Sequence, residues 1–232
     1  MKRSLIKLTQ VIFILACSSA IKCPSSISKK RKLKTQSRSV DWKITSHPGY
    51  ITINTTNDTN KDKKFKSKIF YWYFPSPVNH SSKETPLCFW LQGGPGVSSI
   101  SAVFEECGPY RLKKGKLMLN PYSWHHFCDM VFIDQPIGTG FSTAPQTNFA
   151  KSLQEVTSQF RDFYIGFMKK HKKLSKKKLY LTGESYAGRY IPHIAMDMLS
   201  SPKLYTKNGS IGLAGVLIGD PSIAMFYHKN TL

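Results

Sequence analysis

One serine of the chain follows an apolar run and is flanked by small residues, a pattern that can make a hydroxyl group nucleophilic. Leu179 to Leu181 form the run, and Gly183-Glu-Ser-Tyr-Ala-Gly188 comes directly after it. A serine between a strand and a helix lies on a tight turn that lifts its hydroxyl above the sheet. Backbone N–H groups at the start of the helix then face the negative charge that develops during attack. The pattern predicts Ser185 as a nucleophile, although so short a motif also arises by chance.

A second segment could supply the groups that stabilise this negative charge. The apolar run Leu87–Leu91 is followed by Gln92-Gly-Gly-Pro-Gly-Val-Ser-Ser99. Consecutive glycines let backbone N–H groups point toward one position, which an oxyanion hole requires. A plain tight turn is the alternative, whereas a phosphate loop is a poor fit because no Lys-Ser or Lys-Thr follows the glycines. Loops at the carboxyl ends of parallel strands can converge on one site.

The elements that must position these loops form an α/β pattern. Short apolar runs suit strands that are buried on both faces of a parallel sheet, and four occur: Leu87–Leu91, Met130–Ile133, Leu179–Leu181 and Leu213–Ile218. Apolar residues at three- and four-residue steps predict a helix between the second and third runs: Phe149, Leu153, Val156, Phe160, Phe163 and Phe167. A further helix is predicted from Ser185 toward Leu199, and strands near Ile51 and at Ile69–Phe74 predict an antiparallel hairpin. The series predicts a mostly parallel, doubly wound sheet with an N-terminal hairpin.

The N-terminus predicts entry into the secretory pathway. Residues 1–20 combine a basic start, a short apolar stretch and the small residues Ser18 and Ala20, which is typical of a cleaved signal peptide. The apolar stretch is shorter than the roughly 20 residues of a membrane span, so we expect no span after signal removal. Residues 21–40 are polar and basic and are interpreted as a flexible lead-in, with the folded domain at 41–232.

Secretion would give the cysteines and the sequons a role. Cys23, Cys88, Cys107 and Cys128 remain after signal removal, and the sequence does not choose among their 3 pairings. Asn-x-Ser/Thr sequons predict glycosylation in polar segments at Asn54, Asn57, Asn79 and Asn208.

The net charge of +21 is concentrated in two lysine-rich runs. One lies in the lead-in, and the other includes Lys169, Lys170, Lys172, Lys173, Lys176, Lys177 and Lys178. Such runs can bind polyanions. No nucleic-acid-binding motif accompanies them, so a solvated surface is the favoured interpretation and no nucleic-acid partner is expected.

Three segments together resemble the signature blocks of the serine carboxypeptidase family, within the α/β-hydrolase superfamily. They are Trp90-Leu-Gln-Gly-Gly-Pro-Gly-Val-Ser-Ser99, Asp134-Gln-Pro-Ile-Gly-Thr-Gly-Phe-Ser142 and Gly183-Glu-Ser-Tyr-Ala-Gly-Arg-Tyr-Ile-Pro192. Gln92 and the later Gly-Thr-Gly-Phe-Ser are most similar to the vitellogenic-like branch. The family's cysteine after Gly-Pro-Gly is Val97 here, which removes one familiar disulfide.

The resemblance implies roles for single residues. Ser185 matches the acylated nucleophile, and Gly94 and Tyr186 match the oxyanion-hole residues. Gln92, Gly93, Glu106 and Glu184 match the groups that bind the carboxylate of a peptide or protein substrate with a free C-terminus. Because two ionised glutamates cannot both face a carboxylate, at least one must keep a proton, which predicts activity at acidic pH. The resemblance implies no metal and no organic cofactor, and a secreted, lysosomal or vacuolar location.

The triad acid and histidine of this family lie far downstream of the serine, beyond a cap insertion, and neither position is within these 232 residues. We therefore expect an N-terminal part of the domain, inactive by itself. His193 is about 12 Å along the helix from Ser185, too far for a hydrogen bond, and His125, His126, His228 and Asp220 are poor substitutes. A same-family acyltransferase, a catalytically inactive binding protein and a polyanion-binding module are the alternatives, and the sequence does not indicate the oligomeric state.

Overall fold

The computed structural model describes residues 13–16, 44–54, 66–78, 85–205 and 212–223. The predicted signal peptide and lead-in fall mostly outside these residues, as do Cys23, His228 and the sequons at Asn57, Asn79 and Asn208. Asn54 is described and is exposed just after a strand. Among the described residues, no helix is both long and apolar enough to cross a bilayer.

Seven strands form the main sheet, and the order along the sheet is β1-β9-β8-β4-β7-β3-β2. Their bounds are β1 Phe13–Ala16, β2 His47–Thr52, β3 Lys68–Phe74, β4 Leu87–Leu91, β7 Asp129–Ile133, β8 Leu179–Glu184 and β9 Leu213–Gly219. The pairs β1–β9, β9–β8, β8–β4 and β4–β7 are parallel, whereas β3 pairs antiparallel with both β7 and β2. The predicted hairpin and the four predicted parallel strands are therefore present.

The helices are short except for two that cover one face of the sheet. Their bounds are α1 Ile100–Glu105, α2 Leu153–Lys170, α3 Ala187–Ser200 and α4 Pro202–Tyr205. Helix α2 begins at Leu153, later than the apolar spacing predicts, because the Ser152 hydroxyl accepts from the backbone N–H of Glu155 and caps the helix there. Phe149 consequently lies outside the helix and is exposed. Short 3₁₀ segments occupy Trp124–His126, Gln146–Asn148 and Lys172–Lys176.

Strand β4 is apolar at every position because it is buried on both faces of the sheet. Leu87, Phe89 and Leu91 face one core with Phe160, Phe163 and Phe167 of α2, and Cys88 and Trp90 face a second core on the other side of the sheet. Because both faces are buried, no position of the strand is left for a polar side chain. The three α2 phenylalanines are fully buried, which confirms that they are core residues.

Two features of the fold differ from the pattern that the sequence predicts. A separate hairpin, β5 Tyr110–Lys113 with β6 Lys116–Leu119, lies outside the main sheet. In addition, β1 pairs with β9, so one edge of the sheet is formed by residues of the predicted signal peptide, for which the sequence predicts no strand. The unpaired N–H and C=O groups of an edge strand favour such pairing with any apolar segment that reaches them.

Candidate active site

Ser185 lies on the turn that joins β8 to α3. Its φ of 54° is in the left-handed region, which is uncommon for a residue with a Cβ atom and places strain in the turn. Three backbone hydrogen bonds hold this geometry: Ser185 N–H donates to Gly219 O, and Gly188 N–H and Ser222 N–H donate to Ser185 O. The side chain is exposed. The turn therefore presents the hydroxyl to solvent at the carboxyl end of the parallel strands.

Close packing of the turn depends on Gly183. A Cβ atom there would lie 2.1 Å from the Leu91 carbonyl oxygen and 2.8 Å from the Cβ of Ala187. Both distances are far below van der Waals contact, so only glycine fits between β8, β4 and α3. The small residues around the serine are thus required by the way the strand and the helix approach each other.

The glycine loop after β4 lies directly against this turn. A Cβ atom on Gly93 would lie 2.7 Å from the Tyr186 backbone nitrogen and 2.8 Å from the Ser185 Cβ. Gly94 follows with a φ of 110°. The two loops that the sequence predicts to converge therefore meet at Ser185, and the backbone of Gly93 lies beside the N–H group of Tyr186.

A buried aspartate fixes the position of the glycine loop. Asp134 follows β7 and is fully buried. One carboxylate oxygen accepts from Ser98 Oγ at 2.7 Å and from Ser99 N–H at 2.8 Å, and the other accepts from Phe141 N–H at 2.9 Å. Burial raises the pKa of Asp134, and these hydrogen bonds oppose the rise. The carboxylate connects the glycine loop to the segment 134–142.

Ser99 continues this connection to the residue that precedes the glycines. Its hydroxyl donates to the Ile133 carbonyl at 2.6 Å and accepts from the backbone N–H of Gln92 at 3.0 Å. The sequence interpretation assigned no role to Asp134 or Ser99. Only the motif around them signalled their importance, because the contacts of Ser99 with Ile133 and Asp134 join segments that lie more than 30 residues apart.

Two glutamates and one glutamine form a cluster next to the serine turn. The Gln92 amide nitrogen donates to Glu106 Oε1 at 3.1 Å and to Glu184 Oε1 at 2.8 Å. The Gln92 carbonyl oxygen accepts from Trp90 Nε1 at 2.8 Å, which fixes the orientation of the amide. The three side chains thus come together although Gln92 and Glu184 are 92 residues apart.

The electrostatics of the cluster favour a protonated Glu106. Burial raises its pKa to about 7, with a further contribution from the negative charge of Glu184, while the hydrogen bond from Gln92 opposes the rise. Its Oε2 atom is buried without a hydrogen-bond partner. A protonated carboxyl group with an unused oxygen can donate a hydrogen bond to an anionic ligand.

No described side chain hydrogen-bonds to the Ser185 hydroxyl. His193 lies on the exposed surface of α3, where its Nδ1 donates to the Arg189 carbonyl at 2.9 Å. His125 is buried, contacts Ser123 Oγ through Nδ1, and has its pKa lowered to about 4 by burial and by the neighbouring His126. Asp220 is exposed just after β9. In the described part of the chain, the serine therefore has no general base.

Cys88, Cys107 and Cys128 are buried as free thiols. Among the described residues, no group of three or more histidines, cysteines or acidic residues could hold a metal ion. A cavity of about 480 Å³ borders the serine turn, with Pro95, Tyr186 and His193 in its lining.

A mostly parallel sheet that carries a serine on a strained strand-to-helix turn, with a glycine loop against it, defines an α/β-hydrolase. The family model for serine carboxypeptidases matches residues 37–232. The chain therefore belongs to the serine carboxypeptidase family. This match establishes the family and not the branch, so assignment to the vitellogenic-like branch stays a prediction.

Relatives in fungi and plants are similar over most of the chain. It is 39% identical over 176 residues to a "Carboxypeptidase Y homolog" of Arthroderma benhamiae, covering 72% of the chain and 34% of that protein. It is 36% identical over 217 residues to "Serine carboxypeptidase-like 35" of Arabidopsis thaliana, covering 88% and 44%. The crystal structure of a prohormone-processing carboxypeptidase from Saccharomyces cerevisiae superposes with a TM-score of 0.68 and 33% identity, covering 80% of the chain and 42% of that structure. The chain thus spans less than half the length of these relatives.

Proposed function

We propose that the full-length protein is a serine-type carboxypeptidase that releases C-terminal residues from peptides through an acyl-enzyme on Ser185. The single observation that carries the proposal is the cluster of Gln92, Glu106 and Glu184 beside the serine turn. A serine hydrolase needs a nucleophile and an oxyanion hole, but only an exopeptidase also needs a site for the substrate's terminal carboxylate.

In the proposed mechanism, the Ser185 hydroxyl attacks the scissile carbonyl and the Gly94 and Tyr186 N–H groups bind the resulting oxyanion. Such donors stabilise the transition state by about 3 to 4 kcal/mol each. The close approach of Gly93 to Tyr186 supports this assignment, because it brings the two donor-bearing segments together. Asp134 would act as a positioning residue that holds the glycine loop in place. Family resemblance implies that the general base and its acid come from residues downstream of this chain.

Recognition of the substrate would depend on the proton of Glu106. A C-terminal carboxylate beside two glutamates is tolerated only if a neutral carboxyl group donates a hydrogen bond to it, with the Gln92 amide holding the two glutamates in position. The raised pKa of Glu106 and its unpartnered Oε2 support this role. The same cluster argues against the acyltransferase alternative, since an acyltransferase has no terminal carboxylate to bind. A peptide substrate and a secreted, lysosomal or vacuolar location are part of the proposal.

The pH dependence of KM tests this assignment. Glu106 is protonated below its pKa of about 7 and ionised above it, so binding of a free-acid peptide should weaken as the pH rises through neutrality. We expect KM to increase by about tenfold per pH unit well above pH 7, with a smaller change in kcat. Steady-state kinetics of the full-length protein on one peptide, as its free acid and as its C-terminal amide, would measure this.

Two controls make the experiment specific. The amide substrate carries no negative charge and should lose far less affinity over the same pH range. The variant Glu106→Gln keeps a neutral hydrogen-bond donor at all pH values, so its KM for the free acid should vary little between pH 6 and 9, a range of about three units around the Glu106 pKa. Identical pH profiles for the free acid and the amide would show that the cluster does not bind the carboxylate.

A further inference from the structure

The second lysine-rich run borders a cleft at the end of the sheet opposite to Ser185. The cleft has a volume of about 1000 Å³. Asp129 at the start of β7, Thr85 before β4 and Lys177 before β8 lie in its lining, which places the cleft at the amino ends of the parallel strands. Ser185 follows the carboxyl end of β8, a six-residue strand, so the two sites are about 20 Å apart.

The lining of this cleft is strongly cationic. The segment 169–177, from the end of α2 to the residue after the 3₁₀ segment Lys172–Lys176, contributes five lysines and a histidine to the lining: Lys169, Lys170, His171, Lys172, Lys173 and Lys177. Among the described residues of the lining, Asp129 is the one acidic residue. Its carboxylate pairs with Lys177 Nζ at 2.5 Å and accepts from Ser76 N–H at 2.8 Å, so it neutralises only one lysine.

None of the other lysines in the lining is paired with a carboxylate in the described part of the chain. Lys170 lies over the Tyr71 ring, 5.4 Å from its centre. Lys169, Lys172 and Lys173 are exposed, and no described carboxylate forms an ion pair with any of them. Burial, together with the positive charges of Lys170 and His47, lowers the pKa of His171. Like charges held around a concave surface repel one another and attract an anion.

We propose that this cleft is a binding site for a sulfated polysaccharide. A polymer suits the site better than a single compact anion, because the same segment carries Lys176 and Lys178 just beyond the lining and so extends the positive charge past the cleft. A single-stranded nucleic acid suits it less well. Bases need exposed aromatic faces for stacking, whereas the Tyr73 ring in the lining is 8% exposed. The site is independent of the carboxypeptidase function proposed above.

Isothermal titration of the full-length protein with a size-defined heparin hexasaccharide tests the proposal. The variant Lys172→Gln/Lys173→Gln removes two exposed charges from the cleft, and Lys113→Gln/Lys116→Gln removes two exposed charges from the β5–β6 hairpin as a matched control. We expect the cleft variant to lose at least about tenfold in affinity and to reduce the slope of log K against log salt by about two. The hairpin variant should change the affinity by less than about twofold, because neither Lys113 nor Lys116 lines the cleft.

The other outcomes overturn the proposal. Absence of hexasaccharide binding, or an equal loss in both double variants, would show that the cleft is not a specific site. Inorganic phosphate or sulfate that displaces the hexasaccharide at matched ionic strength would indicate a compact-anion site instead. Equal affinity for an oligothymidylate of the same charge, with the same sensitivity to Lys172→Gln/Lys173→Gln, would indicate a nucleic-acid site. Peptide hydrolysis should be unchanged in both variants, because neither alters the Ser185 site.

Discussion

Replacing Ser185 with alanine in the full-length protein is expected to abolish peptide hydrolysis, with a loss in kcat on the order of 10⁶-fold. The exposed hydroxyl lies on a strained turn that packs against the glycine loop and directly follows Glu184 of the Gln92 cluster. Without it no acyl-enzyme can form. Steady-state kinetics on a free-acid peptide would measure the loss.

The substitution should leave substrate binding and the fold nearly intact. The backbone hydrogen bonds that hold the turn do not use the serine hydroxyl, and the Gln92 cluster is unaffected. The Kd for a free-acid peptide should therefore stay within about threefold of the wild-type value, because an interaction made only in the transition state does not contribute to ground-state binding. Ser175→Ala, which removes an exposed hydroxyl from the segment before β8, is the matched control and should retain full activity. Substantial hydrolysis by Ser185→Ala would place the nucleophile elsewhere.

The polypeptide of residues 1–232 by itself is expected not to react with a fluorophosphonate probe. A serine hydroxyl is a weak nucleophile without an adjacent base, and no described side chain hydrogen-bonds to that of Ser185. The nearest histidine in sequence, His193, is held by the Arg189 carbonyl on its own helix. Loss of the base typically lowers reactivity by several orders of magnitude.

Gel-based labelling of the purified chain beside the full-length protein would measure this difference. The full-length protein is the positive control, and its heat-denatured form sets the background. Labelling of residues 1–232 that disappears in Ser185→Ala would reveal a base outside the described residues.

Removal of the predicted signal peptide would also remove β1 and expose the β9 edge, so we expect the processed chain to aggregate more readily than the unprocessed one.

The local part of this architecture could be predicted from the sequence. The strand, serine turn and helix around Ser185 are contiguous in the chain, and the residues that allow close packing, such as Gly183, are visible as small residues in the motif. The apolar runs in β4 and β7 could be recognised because both faces of these strands are buried. A strand that is buried on both faces can therefore be recognised in a single sequence as a continuous apolar run.

Contacts between distant segments could not be derived in this way. The β5–β6 hairpin was missed because its leucines are exposed between lysines and show no inward-facing alternation. The Asp134 contact to Ser99 joins two loops whose proximity is set by the order of strands in the sheet. The grouping of Gln92 with Glu106 and Glu184 could be predicted only from the resemblance to the family. The lysine run is evident in the sequence, but the cleft that it borders could be recognised only in the folded structure.

Identification of the residue that is covalently modified tests the central claim most directly. The full-length protein would be treated with a fluorophosphonate, digested and mapped by mass spectrometry. We expect one adduct per molecule on Ser185, formed more slowly when a free-acid peptide occupies the Gln92 cluster. An adduct on another residue, or complete Ser185 modification that leaves carboxypeptidase activity intact, would contradict the assignment.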